Sequence, residues 1–200
     1  QHWWPAETAF EVMVGAVLVQ NTAWHNASRA ISNLRDNGLL SAPAIRRTDI
    51  EQIASVITSS GYYNVKARRL KSLCDWLHRQ GEIDDLRQRP LAELRKELLA
   101  VHGIGRETAD DILLYALDKP VFVIDSYTRR LFSRLGLLRE DAHYEELRAG
   151  FESALPIDAS LFNQYHALIV HHARHSCQKT PRCAQCCLQE LCEWTGNTTA

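Results

Sequence analysis

Apolar residues recur at three- and four-residue spacing along almost the whole chain, and this periodicity constrains the fold more than any other feature. It runs through FEVMVGAVLVQ (10–20), AWHNASRAISNLRDNG (23–38), VKARRLKSLCDWLHRQG (65–81), LAELRKELLAV (91–101) and RETADDILLYAL (106–117). Gly38 and Gly81 follow helical runs and Pro90 precedes one, as helix stops and starts do. Further helices are expected over about 143–154 and 158–175. Only VFVI (121–124) is strand-like, and it is too short to build a sheet; it reads as a buried connector into SYTRRLFSRLGL. The fold class is therefore all-α. With 200 residues, 46% of them hydrophobic, the chain can bury one core or two small ones. No apolar run reaches the eighteen or so residues of a membrane span.

The formal net charge is −1, so no global basic field draws the chain onto nucleic acid, and any such binding needs a local patch. The sequence begins at Gln1, so a trimmed N-terminus is expected. The six cysteines are unevenly placed: Cys74 stands alone in a helical run and reads as a small buried residue, while the rest crowd between 177 and 192. Crowding at one end points to a metal or cluster in a reducing compartment rather than a disulfide framework. Cys177-x5-Cys183-x2-Cys186-x5-Cys192 offers one tight pair where a structural zinc site usually has two. A [4Fe–4S] cluster accepts this spacing, with zinc as the alternative and a ligand set through Cys187 also open.

HGIGRETAD (102–110) places two glycines before a helix. Val101, Gly103, Ile104 and Gly105 form a very short connection whose amides, with that of Arg106, lie at a helix N-terminus suited to a phosphate. An ordinary αα-corner has the same local sequence. Asp125 follows the apolar run and precedes a helix, where Asp is a common N-cap. The same position keeps a carboxylate ionised, able to stabilise an oxocarbenium-like sugar and orient water.

The turn resembles the helix-hairpin-helix of the endonuclease III family of DNA glycosylases, and the likeness extends over nearly the whole chain. VLVQNT, GYYN, VFVIDSYTRR and the cysteine tail fall in the family's order. The resemblance implies two helical domains with a cleft between them: 1–119, with the hairpin at about 91–117, and 120–200, with an iron–sulfur loop at 177–192. A helix upstream of Gln1 usually completes the family's second domain, so part of it is expected to be missing. The resemblance makes Asp125 the catalytic carboxylate, Gln20 the filler of the gap left by an extruded base, and Tyr62 the wedge entering the duplex. It makes Cys177, Cys183, Cys186 and Cys192 the cluster ligands, with Cys187 a bystander. The implied partner is double-stranded DNA containing damaged bases, met by a monomer in the cytoplasm at the bacterial nucleoid. Phosphate contacts are expected from Lys66, Arg68, Arg69 and Lys71, from Arg129 and Arg130, and from the hairpin at Val101, Gly103, Ile104, Gly105 and Arg106. Arg174, Lys179 and Arg182 in the tail are expected to face phosphates as well. The histidines, His171, His172 and His175 among them, are expected to face solvent or DNA rather than a second metal.

Bifunctional members carry a lysine where this chain has Glu107, and a glutamate cannot form the Schiff base that leads to strand nicking. The expected enzyme is therefore monofunctional. Trp3, Trp4, Pro5 and Trp24 flank one helix; large aromatics commonly serve a core, and the same set could frame a base slot, where electron-rich faces favour a cationic 3-methyladenine or 7-methylguanine. Trp-Trp-Pro, the aromatic after Gln-Asn-Thr and Gly-Ile-Gly-Arg-Glu-Thr-Ala-Asp resemble the bacterial 3-methyladenine DNA glycosylase branch, although that branch's archetype lacks the cysteine cluster. Two alternatives stand: excision of oxidised or deaminated pyrimidines, and non-catalytic binding of DNA structures.

Overall fold

The computed structural model describes residues 4–139 and 141–194. Among these there is no strand, and the elements are helices joined by short connections. In order they are α1 (Ala9–Leu18), α2 (Trp24–Asp36), α3 (Ala42–Arg47), α4 (Ile50–Val56), α5 (Tyr63–Gln80), α6 (Ile83–Leu86), α7 (Leu91–Ala100), α8 (Arg106–Asp111), α9 (Ser126–Arg134), α10 (Tyr144–Ala154) and α11 (Ala159–His175). No helix among the described residues is long and apolar enough to cross a membrane. The periodicity located every long helix but not α3, α4 and α6, which are too short to show a repeat. The chain divides into two compact units that part between Lys119 and Pro120.

In the first unit, α1 is apolar on all sides apart from Glu11, and it is buried from Glu11 to Leu18. Its N-cap Thr8 accepts from the Glu11 amide, and the buried Glu11 carboxylate receives Arg35 Nη2 at 2.6 Å. Around α1 pack α2, α5 and the segment after α8. The predicted helix 106–117 is α-helical only to Asp111; Ile112–Ala116 widens into a π-helical turn. Such a turn re-aims the side chains that follow it, and it often lies beside a functional site. Cys74 is wholly buried, and burial pushes its thiol up to about 12.

In the second unit, residues 121–124 are buried in a segment that is neither helix nor strand. The Phe122 amide donates to Glu152 Oε1 at 3.0 Å and the Ile124 amide to the Tyr144 hydroxyl at 3.4 Å, so side chains replace a neighbouring strand. Phe122 stacks on Phe151 with centroids 4.2 Å apart and meets Phe162 edge-on, joining the connector to α10 and α11. Fixed this way, the connector sets where Asp125 emerges.

Candidate active site and nucleic-acid interface

The hairpin turn joins α7 to α8, with the side chains of Val101 and Ile104 buried and His102, Gly105, Arg106 and Glu107 exposed. The Val101 amide donates to Leu98 O at 3.0 Å and the Ile104 amide to Val101 O at 3.1 Å. Gly103 has φ +83°, and a Cβ there would stand 2.2 Å from Arg69 Cγ. Glycine is thus required twice over, by backbone angle and by the arginine stem lying on it. Arg69 Nη1 donates to Gln20 Oε1, and Gln20 Nε2 donates to Gly103 O at 3.2 Å and to Thr108 Oγ1 at 2.8 Å. Gln20 therefore ties the end of α1 to the hairpin.

Tyr62 is 73% exposed and sits in the left-handed region, φ 46° and ψ 32°, directly after Gly61 at φ +67°. A bulky residue is uncommon there, and such strain clusters at functional positions. Four residues on, Lys66 departs from expectation. It is 1% exposed, and Nζ donates to Leu18 O at 2.9 Å and to Ser60 O at 2.6 Å. An ammonium buried in this way is not a phosphate contact. Burial, followed by the nearby Arg69 charge, lowers its pKa to about 8. Along the same helix Arg68 is exposed, Arg69 serves the hairpin, and Lys71 Nζ donates to Arg46 O at 3.1 Å.

Trp3 lies outside the described residues. Trp4 meets Trp24 edge-on with centroids 5.3 Å apart and stacks on Tyr115 at 5.2 Å. Gly15 leaves room for it: a Cβ there would lie 3.3 Å from the Trp4 ring. Pro5 is exposed beside this group. Tyr115, which sequence reasoning missed, comes from the π-helical turn. In DILLYAL it reads as one more apolar position of a helix.

Asp125 caps α9, and Oδ1 accepts from the Thr128 amide at 2.7 Å and the Thr128 hydroxyl at 2.8 Å. His166 Nε2, on α11, lies 3.5 Å from the same oxygen. Among the described residues these are the polar partners of the carboxylate, and all of them meet Oδ1, leaving Oδ2 open. Burial alone would push the carboxyl up. The nearby His166 imidazole and the Thr128 amide and hydroxyl outweigh it and hold the group below its ordinary value. Thr128 and His166 carry no sequence signal beyond helical spacing, and only the packing of α9 on α11 reveals them.

Cys177, Cys183, Cys186 and Cys192 line one hollow with Leu131, Leu135, His172 and Trp194, while Cys187 is exposed and outside it. Arg134 Nη1 lies 3.3 Å from Cys177 Sγ, and His172 Nε2 lies 3.5 Å from Cys186 Sγ. His172 thus turns toward the cysteines rather than to solvent or DNA, whereas His171 stacks on His175. Among the described residues no three His, Cys, Asp or Glu side chains are placed to share a single ion. Arg129 and Arg130 also depart from expectation. Arg129 Nη1 donates to Ala142 O at 2.8 Å; Arg130 donates to Cys177 O at 2.9 Å and Ala173 O at 3.0 Å. These two arginines join backbone segments within the unit instead of presenting a phosphate-binding pair. Arg174, Lys179 and Arg182 are exposed.

Comparison with known proteins places this arrangement in context. Residues 14–156 match the family described as HhH-GPD superfamily base excision DNA repair protein. A provisionally named DNA repair glycosylase of Methanocaldococcus jannaschii is 45% identical over 96% of this chain and 89% of its own. The 3-methyladenine DNA glycosylase of H. pylori, solved bound to 1,N6-ethenoadenine, superposes with a TM-score of 0.76 at 30% identity, over 86% of this chain and 87% of that one. An endonuclease III in a non-covalent DNA complex superposes with a TM-score of 0.81 at 25% identity, over 94% and 84%.

Proposed function

Because the chain belongs to the HhH-GPD superfamily of base excision DNA repair proteins, we propose that it is the monofunctional kind, hydrolysing the N-glycosidic bond of cationic alkylated purines such as 3-methyladenine and leaving the abasic strand intact. It is a DNA N-glycosylase, and its partner is DNA containing damaged bases. The observation that carries the substrate reading is the packing of Trp4 with Trp24 and Tyr115. Three electron-rich rings form a surface on which a positively charged base gains about 0.5–2 kcal/mol per contact that a neutral base does not. Extrusion from the stack must precede that contact, with Tyr62 as wedge and Gln20 as filler. Gln20 must first release Gly103 and Thr108.

Once extruded, a methylated purine needs no general acid, because the electron pair of the breaking bond neutralises its own charge. The remaining requirement is to stabilise positive charge as it develops on the sugar. Asp125 meets this requirement: Oδ1 is held by Thr128, the carboxyl stays ionised at neutral pH, and Oδ2 is open toward the cation or an attacking water. Water adds to the sugar carbon and releases its proton to solvent, completing hydrolysis without a covalent intermediate. Glu107, in the first turn of α8, complements the helix dipole and supplies no amine. At the hairpin, the amides of Gly103 and Gly105 take the phosphate; those of Val101 and Ile104 donate within the turn.

The cysteine hollow suits a [4Fe–4S] cluster. Cys177, Cys183, Cys186 and Cys192 would hold it; apolar Leu131, Leu135 and Leu188 wall it, and the Arg134 guanidinium offsets thiolate charge. When bound, the group cross-links the tail to the rest of its unit. The loop so fixed presents Lys179 and Arg182 for backbone phosphates, with Arg174 nearby on α11.

Two assays test this reading. Borohydride added during turnover traps no protein–DNA adduct if the enzyme lacks lyase chemistry; efficient trapping overturns that part. In competition, methylated DNA should inhibit release of other lesions. Release of thymine glycol with no release of 3-methyladenine would instead establish the pyrimidine reading.

A further inference from the structure

Lys66 is an unusual group to find in this interior. Its side chain is wholly buried, and Nζ is held by two carbonyl oxygens, Leu18 O at 2.9 Å and Ser60 O at 2.6 Å, with no carboxylate among its hydrogen-bond partners within the described residues. Burying an ammonium on backbone carbonyls alone is costly, and a methionine of similar length would fill the same space without that cost. The two carbonyls are informative in their positions. Leu18 is the last residue of α1, two before Gln20, in a segment where Asn21 takes φ 53°. Ser60 is two before Tyr62, at the foot of the Gly61–Tyr62 turn with its two consecutive positive φ angles. Among the described residues no Tyr62 side-chain hydrogen bond caps α5, so the strained turn depends on the contacts beneath it.

We infer that Lys66 is a positioning residue: its buried ammonium clamps the Gln20 and Tyr62 segments together so that wedge and filler meet the duplex in register. This inference rests on the reading of Tyr62 and Gln20 as the groups that enter DNA. The clamp also suits the end of α1, since a cation at a helix C-terminus is stabilised by the dipole there. Strain at Tyr62 is sustained because the carbonyl of Ser60 cannot turn away without leaving the ammonium half-satisfied. Lys66 does not touch the lesion, so its contribution should be confined to substrates whose base must be extruded.

The test uses an oligonucleotide with one central purine, prepared with adenine or with guanine and methylated with dimethyl sulfate. It is annealed either to its full complement or to a complement lacking the opposing nucleotide, which leaves the lesion unpaired. Single-turnover base release is measured for wild type, Lys66→Met and Lys66→Gln, with melting temperature recorded for each. For the paired substrate, Lys66→Met should be slower by about tenfold or more, the scale of one lost charged hydrogen bond. Lys66→Gln, retaining an amide donor, should fall between. For the unpaired substrate all three should agree within about twofold, a split that a merely structural defect would not give. If one variant does not fold, the other decides. Equal loss on both substrates, or none on either, overturns the inference while leaving the glycosylase reading intact. A wild type that releases no base from either substrate overturns both.

Discussion

Replacing Asp125 with asparagine separates its two roles. The asparagine Oδ1 can still accept from the Thr128 amide and hydroxyl, now 2.7 and 2.8 Å away. Asparagine is as good an N-cap as aspartate, so α9 should lose less than about 1 kcal/mol. The negative charge, however, disappears. A carboxylate about 4 Å from the developing cation, at an effective dielectric near 20, contributes about 4 kcal/mol. That corresponds to a fall of about a thousandfold in the rate of base release. Single-turnover release from methylated DNA measures the rate, and thermal melting measures the cap. The pH dependence follows from the depressed carboxyl. Its stabilisation is fully present above the unfolded-chain value of about 3.9 and is lost as pH falls through the lower folded value, so the stability difference between wild type and Asp125→Asn should vanish in acid. Base release within about tenfold of wild type by a normally folded Asp125→Asn, or a variant that fails to fold, would refute this assignment.

Three further outcomes are expected. Gly103→Ala must displace the Arg69 stem and accept φ +83°, so it should destabilise the protein by about 1–3 kcal/mol and weaken binding to undamaged duplex, read by melting and by fluorescence anisotropy. Cys183→Ser should abolish visible colour and iron content in the purified protein while Cys187→Ser retains both, since Cys183 lines the hollow with three other cysteines and Cys187 does not. Because the folded-state pKa of Lys66 is depressed to about 8, the unfolded chain binds more protons between there and about 10.4; wild-type stability should therefore gain on Lys66→Met as pH rises through that window, measured by urea denaturation.

What the sequence revealed and what it hid follow from how local each signal is. The long helices were legible because a buried face repeats every three or four residues, and Gly103 because a tight turn before a helix leaves a fixed local pattern. The capping role of Asp125 was legible for the same reason. Lys66, Arg129 and Arg130 were misjudged together, since a basic residue on an amphipathic helix looks identical whether its charge meets water, phosphate or a buried carbonyl. Tyr115 and His166 were missed because their significance lies in neighbours far along the chain: Trp4 for one and Asp125 for the other. The π-helical turn that aims Tyr115 has no residue pattern distinct from the α-helix it interrupts.

The central claim, that an ionised Asp125 faces a sugar made cationic by departure of an already charged purine, is tested most directly by identifying the bases freed from dimethyl sulfate-treated duplex DNA. Chromatography with mass detection should show 3-methyladenine, or 7-methylguanine, released by wild type far above the spontaneous rate and by Asp125→Asn at close to that rate. The strand should remain intact until alkali is added. Methylated purines appearing only at the spontaneous rate, or strands broken without alkali, would contradict it.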